Sequence, residues 1–143
     1  MALHIADYLI VRDDEGSFAD FELIEDVGEL IRIDDQVRTF RFTLSSHAAV
    51  GDTGMLSYVL DGIPFDGELD IEYKILINDH RVEQSRIKST MLRGLWGAVS
   101  GNWLNQPPEE NEIVFQLVNR RSNGGNLRFK NIVVWYQRSV AEP

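Results

Sequence analysis

ELDIEYKILINDH, residues 68–80, alternates in character up to its turn. Leu69, Ile71, Tyr73, Ile75 and Ile77 share one face, and Glu68, Asp70, Glu72 and Lys74 share the other. A period of two marks a half-buried strand, and Asn78-Asp79 is turn chemistry. Working outward, QVRTFRFTL (36–44) repeats the pattern, with Phe40, Phe42 and Leu44 facing the core and Arg41 and Thr43 facing water. Further strands are expected at 3–11, 18–25, 28–33, 54–60, 81–89, 111–119 and 127–137. Between them lie Asp34-Asp35, Gly51-Asp52-Thr53-Gly54, Asp61-Gly62, Asp66-Gly67 and Asn123-Gly124-Gly125-Asn126. No segment sustains a helical period; residues 46–55 and 92–100 are the least regular, and either fits one short helical turn. Nine or ten short strands predict a single all-β domain over 1–143, a two-layer antiparallel β-sandwich of jelly-roll type. In NIVVWYQ (131–137), Val133 and Trp135 lie on one face and Ile132, Val134 and Tyr136 on the other. A strand apolar on both faces sits mid-sheet or under a covering loop, which assigns Trp135 to the core.

Composition narrows the chemistry. A chain of 143 residues buries roughly 68% of its unfolded surface and needs no staple. Without cysteine it has no disulfide, thiolate metal site or catalytic thiol, which suits a reducing cytosol. MALHIADYLIVRDDEG has no basic, apolar leader pattern, and no window reaches the roughly 20 apolar residues of a helical membrane span. A cytoplasmic chain without membrane contact is expected, although a secreted chain already relieved of its leader would read the same. The net charge of −9 disfavours nucleic acid as a partner. Residues 1–72 hold 4 basic and 17 acidic side chains, a net −13, and residues 73–143 hold 10 and 6, a net +4. The halves either mix within one fold or present two charged faces for self-association.

Catalytic signatures are missing. His4, His47 and His80 are far apart in sequence and read as surface or turn residues, and no metal site is assigned. There is no G-x-S-x-G, no phosphate loop and no dinucleotide fingerprint. With 23 acidic residues, a close carboxylate pair carries no information about glycoside hydrolysis. In VRDDEGSFADFELIEDVGELIRIDD (11–35), setting Gly16 at the sixth position of a calcium loop puts Glu22 at the twelfth. Val11 then falls at position one, where an oxygen ligand is required. The expectation is therefore a non-enzyme without a cofactor, calcium in an irregular acidic site being the minority alternative.

From about residue 69 to 138 the chain reads as a strand with an Asn turn, then GNWL, a Pro-rich bend, ENEIVFQLVN, a glycine hairpin and LRFKNIVVWYQ. This order is similar to that of β-sandwich carbohydrate-binding modules and galactose-binding-like domains. The resemblance implies that Glu110-Asn111 opens a strand and that Asn131-Ile132-Val133-Val134 closes the sheet, both as structural positions. It also implies a family commonly secreted and often carrying a structural calcium. It speaks to fold more than to ligand.

Recognition is the best-supported role, and carbohydrate the favoured partner. Sugars pack apolar C–H faces on aromatic rings while amides and charged groups bond their hydroxyls. LRGLWGAVSGNWLNQPP (92–108) supplies Trp96 and Trp103, with Arg93, Asn102, Asn105 and Gln106 alongside. Trp103, ahead of the Pro-Pro bend, reads first as a plug under the turn, whereas Trp96 among its glycines suits either role. Tyr58, His47 and Asp52 are candidates for the same end of the sandwich. The candidate ligand set is Trp96, Arg93, Asn102, Trp103, Asn105 and Tyr58. The rival is a structural or assembly subunit that contacts protein, a second copy included.

Overall fold

The computed structural model describes residues 3–13, 15–25, 37–64, 69–118 and 125–140. Among these residues nine strands run in order: β1 (Leu3–Ile10), β2 (Phe21–Glu25), β3 (Val37–Phe42), β4 (Gly54–Ile63), β5 (Ile71–Ile77), β6 (His80–Ile87), β7 (Met91–Val99), β8 (Asn111–Leu117) and β9 (Gly125–Val140). One 3₁₀ turn spans Gly101–Trp103. The strand expected at 28–33, the turns at Asp34-Asp35 and Asp66-Gly67, and most of the Asn123 hairpin lie outside the described residues.

The first sheet has the order β1-β9-β4-β7, with β2 also pairing β9; the second is β3-β8-β5-β6. All pairs are antiparallel, and four of them nest: β5 with β6, β4 with β7, β3 with β8, β2 with β9. Nested pairs alternating between two sheets are a long hairpin rolled up, which is the jelly roll. The tip of that hairpin is Asn78-Asp79, both in the left-handed region (φ 48° and 68°), which Asn and Asp tolerate best after glycine.

Alternation places the core where the sequence puts it. Ile71, Tyr73, Ile75 and Ile77 of β5 and Ile113, Phe115 and Leu117 of β8 point inward. They meet Leu56, Tyr58 and Leu60 of β4 and Leu127, Phe129, Ile132 and Val134 of β9. Each such fully buried side chain stabilises the fold by about 1.5–3 kcal/mol. Phe21, Phe40, Phe115 and Phe129 form an aromatic cluster with centroids 5.0–6.3 Å apart. Residues 92–99 belong to strand β7, and the 3₁₀ turn falls just after it.

Strand β9 changes parity midway. Ser57 of β4 pairs Val133 but Val59 pairs Lys130, so β9 holds one extra residue there. The bulge sits at Asn131, in the left-handed region at φ 52°. Before it the odd residues Leu127 and Phe129 face inward; after it the even residues Ile132, Val134 and Tyr136 do. Trp135 is therefore turned out to solvent, which corrects its assignment to the core. The strand does run mid-sheet, between β1 and β4, and so does not close the sheet at an edge. Gly54 lets it pass closely: a Cβ there would stand 2.5 Å from the Trp135 carbonyl oxygen.

The nesting also pairs the acidic first half of the chain with the basic second half. Ion pairs join Asp7 to Arg138 (3.2 Å), Asp70 to Arg86 (2.7 Å) and Glu22 to Arg128. Part of the charge asymmetry is thus spent inside one fold.

Candidate functional site: the outer face of the first sheet

The bulge and the strand register together build an aromatic band. Across the sheet, Tyr8 of β1 pairs Trp135 of β9, Trp135 pairs Met55 of β4, and Met55 pairs Ala98 of β7. The neighbouring row is Ile10, Val133, Ser57 and Trp96. Cross-strand partners share a face, so these eight side chains lie together on the outside of the sheet. Three rings are open to solvent: Tyr8 (56% exposed), Trp135 (36%) and Trp96 (66%). Tyr8 and Trp135 touch, with centroids 5.5 Å apart and planes tilted by 46°. The Trp135 Nε1–H donates to Ser57 Oγ at 2.9 Å, which fixes the orientation of the indole. Trp96 lies two strands further on, roughly 10 Å across the sheet at the usual inter-strand spacing.

A depression of about 420 Å³ adjoins this band, its lining including His4, Ala6, Thr53, Met55, Trp135 and Gln137. That volume is in the range of small-ligand sites. Its lining is largely apolar and carries hydrogen-bonding side chains in His4, Thr53 and Gln137. His4 Nδ1 lies 2.9 Å from Asp52 Oδ2, and Gln137 Nε2 donates to the Thr53 carbonyl at 3.4 Å. With Nδ1–H on the carboxylate, Nε2 is the ring atom of His4 left for a ligand, and the Gln137 side-chain oxygen is an acceptor. Rings flanked by hydrogen-bonding groups can bind a molecule that is apolar on its faces and hydroxylated at its edges.

The residues picked from the sequence separate. Trp96 stands on the band. Arg93, three positions earlier, falls on the opposite face of β7 with Met91 and Leu95, because a strand alternates every residue. Tyr58 is in the core (2% exposed), its hydroxyl 2.8 Å from that of Tyr73. Burial pushes both phenols up from their ordinary range, Tyr58 the more strongly. Ser85, on the neighbouring strand, donates its hydroxyl to Glu83 at 2.9 Å. Tyr58 is a structural residue, not a ligand contact.

Trp103 and Asn105 are also structural. The Trp103 ring packs against the core and stacks on His80, with centroids 5.3 Å apart and planes 7° from parallel. Its carbonyl accepts from Asn78 Nδ2 at 2.6 Å, and the same amide donates to Asn111 Oδ1 at 2.8 Å. Asn105 N–H donates to Asn111 Oδ1 at 2.7 Å, while Asn105 Nδ2 donates to the Glu110 carbonyl. The three asparagines knot the Trp103 turn to the hairpin tip, and Asn111 opens β8 as a buried structural residue. Asn102 is exposed on that turn. The plug reading of Trp103 holds; the ligand reading of Trp103 and Asn105 is corrected, since the Trp103 ring is held between the core and His80 and the Asn105 amides serve the turn. Tyr8 and Trp135 were missed: the sequence cue was Asn131, an αL-tolerant residue in an otherwise apolar strand. In the acidic stretch, Asp13 Oδ1 accepts from the Glu15 and Ser17 amides, and no three acidic or histidine side chains among the described residues are placed to hold a metal ion.

No protein-family model matches the chain, and no curated protein sequence matches it. Solved structures do. Dimeric latent PorU from Porphyromonas gingivalis is similar over 84% of this chain, with 12% identity and a TM-score of 0.57; the chain spans 13% of that protein's length. The C-terminal domain of EclA, a sugar-binding protein, is similar over 93% of this chain and 79% of its own, with 14% identity and a TM-score of 0.48. A family 35 carbohydrate-binding module from Clostridium thermocellum is similar over 90% of this chain and 97% of its own, with 12% identity and a TM-score of 0.41. A sugar-binding domain and a carbohydrate-binding module are thus among the solved structures to which the chain is similar.

Proposed function

We propose that the domain is a non-catalytic recognition module that binds a carbohydrate chain on the outer face of its first sheet. The observation that carries this reading is the band of exposed rings, Tyr8, Trp135 and Trp96, beside a depression lined by His4, Thr53 and Gln137. Sugar rings stack on the indoles through their C–H faces, and the polar groups in the depression bond the hydroxyls. Stacking alone is weak in water, and hydroxyl bonding alone competes with water; the two together give measurable affinity. A pyranose ring is too short to touch Trp135 and Trp96 at once, so the ligand is an oligosaccharide lying across the strands.

Titration of intrinsic tryptophan fluorescence with a panel of neutral gluco-, xylo- and galacto-oligosaccharides tests the reading. Binding by at least one of them is expected to weaken about tenfold in Trp135→Ala and in Trp96→Ala, in line with a lost hot-spot ring. Binding unchanged in both variants, or no response to any sugar at roughly 10 mM, a concentration that detects even very weak complexes, overturns it.

A further inference from the structure

At one edge of the sandwich, β6 of the second sheet faces β7 of the first across an opening that the two strands do not fully close. At Gly97 they pass closely, a Cβ there standing 3.0 Å from Val82 Cγ1. Further along lies a slot of about 300 Å³ whose lining includes Tyr73, Ser85, Lys88, Ser89 and Arg93. We propose that this slot is an oxyanion site, taking a carboxylate or sulfate group, with Arg93 as the charge that holds it.

The first ground is the state of Arg93. Every other described arginine is engaged. Arg12 donates to the Gly16 carbonyl, Arg38 lies over Phe21 and Phe40, and Arg81 donates to Gln84. Arg41, Arg86, Arg128 and Arg138 are paired with Glu112, Asp70, Glu22 and Asp7. Arg93 has no such partner among the described residues, in a chain where 23 acidic side chains outnumber 14 basic ones. Lys88, on the same slot, has none there either.

The second ground is that the neighbouring carboxylates are committed. Asp70 accepts both Arg86 bonds, at 2.7 and 2.8 Å, and Glu83, the charge that opposes an anion here, accepts from Ser85 and from the Gln84 amide. Two cations beside a cleft with low-dielectric walls focus their field on what enters it. A guanidinium bonds a carboxylate or sulfate through paired N–H groups. The Ser89 hydroxyl on the lining both donates and accepts, which offers a partner for a ligand O–H. A hydroxylated acid therefore fits the slot better than a bare ion does.

Arg93 and Trp96 occupy opposite faces of β7, so this site and the aromatic band can be tested separately. Sodium gluconate, sodium sulfate and glucose are titrated at low salt against the intact domain, followed by amide chemical shifts around Ser85, Ser89 and Arg93. Gluconate is expected to bind at least about tenfold more tightly than glucose, and Arg93→Gln to weaken it about tenfold or more, as for loss of a charged hydrogen bond. Trp135→Ala is expected to leave it unchanged. Sulfate binding as tightly as gluconate assigns the slot to a free inorganic oxyanion, and tenfold weaker sulfate binding assigns it to a hydroxylated acid. If neither anion shifts these amides, or if Arg93→Gln binds like the parent, the proposal is wrong. Arg93 is exposed, and an unchanged melting curve confirms that the variant is folded.

Discussion

The two sheets present opposite outer faces to water. On the second, Arg41 pairs Glu112 at 3.1 Å, Arg86 clamps Asp70, and Gln84 donates to Glu72 at 2.7 Å. These side chains satisfy one another and remain solvated. On the first, Tyr8, Trp135 and Trp96 stand exposed with Met55, Val133 and Ile10 between them. Both faces come from the same alternation and cover the same core. Alternation accounts for one side of each sheet being polar; it gives no reason for three aromatic rings on the other. A contiguous apolar patch on a water-facing sheet is the surface on which the proposed ligand would lie.

The sharpest way to break this contrast is to delete Asn131. Removing the bulge forces Trp135 inward and Val134 and Tyr136 outward along the rest of β9. The expected loss exceeds the whole stability of a typical domain, about 5–15 kcal/mol, and is read as absence of a cooperative melting transition. Next in size is an alkaline effect on the core that the two sheets share. Tyr58 and Tyr73 have folded-state pKa values raised above their unfolded value. Their neutral forms therefore contribute fully below about pH 10, and stability falls as pH rises beyond it. The slope is up to about 1.4 kcal/mol per pH unit for each tyrosine. Denaturant melts from pH 9 to 12 measure that slope, which the Tyr58→Phe/Tyr73→Phe double variant should flatten.

Smaller changes sharpen the comparison. Asn131→Val keeps the bulge but strains it, at a cost of about 1–2 kcal/mol, whereas Asn131→Gly stays within about 0.5 kcal/mol of the parent in the same melts. Arg41→Ala, on the charged face, is expected to lower stability by less than about 1 kcal/mol and to leave sugar binding untouched. A loss of sugar affinity in Arg41→Ala equal to that in Trp135→Ala would remove the functional distinction between the faces.

Much of the architecture was legible. Strict alternation in 69–78 and 37–44 identified buried and exposed faces correctly, because a strand one layer deep has to obey it. The Asn78-Asp79 turn followed from the tolerance of those residues for positive φ. The candidate site was less legible, for two reasons. Arg93 and Trp96 are neighbours in sequence, yet parity puts them on different surfaces. Trp135 sits among apolar residues and reads as core unless a single inserted residue at Asn131 is counted, and nothing in local propensity reveals which strand that residue opposes. Trp103 and Asn105 were drawn into the ligand set by composition, while the Trp103 carbonyl and the Asn105 amides are engaged by Asn78, Asn111 and Glu110, 25 residues distant in the case of Asn78 and Trp103.

The nested pairing has a kinetic consequence. Ile77 and His80 meet across a two-residue turn, whereas Glu25 has to find Gly125. Formed independently, the outermost ladder would close a loop of about a hundred residues, the kind of long-range pairing that slows β-proteins. Formed after the inner ladders, it closes a far shorter one, since each completed pair brings the next two strands together. The domain is therefore expected to zip from the Asn78-Asp79 tip outward. On that route the aromatic band, which needs β1, β4, β7 and β9 in register, is among the last parts of the molecule to exist.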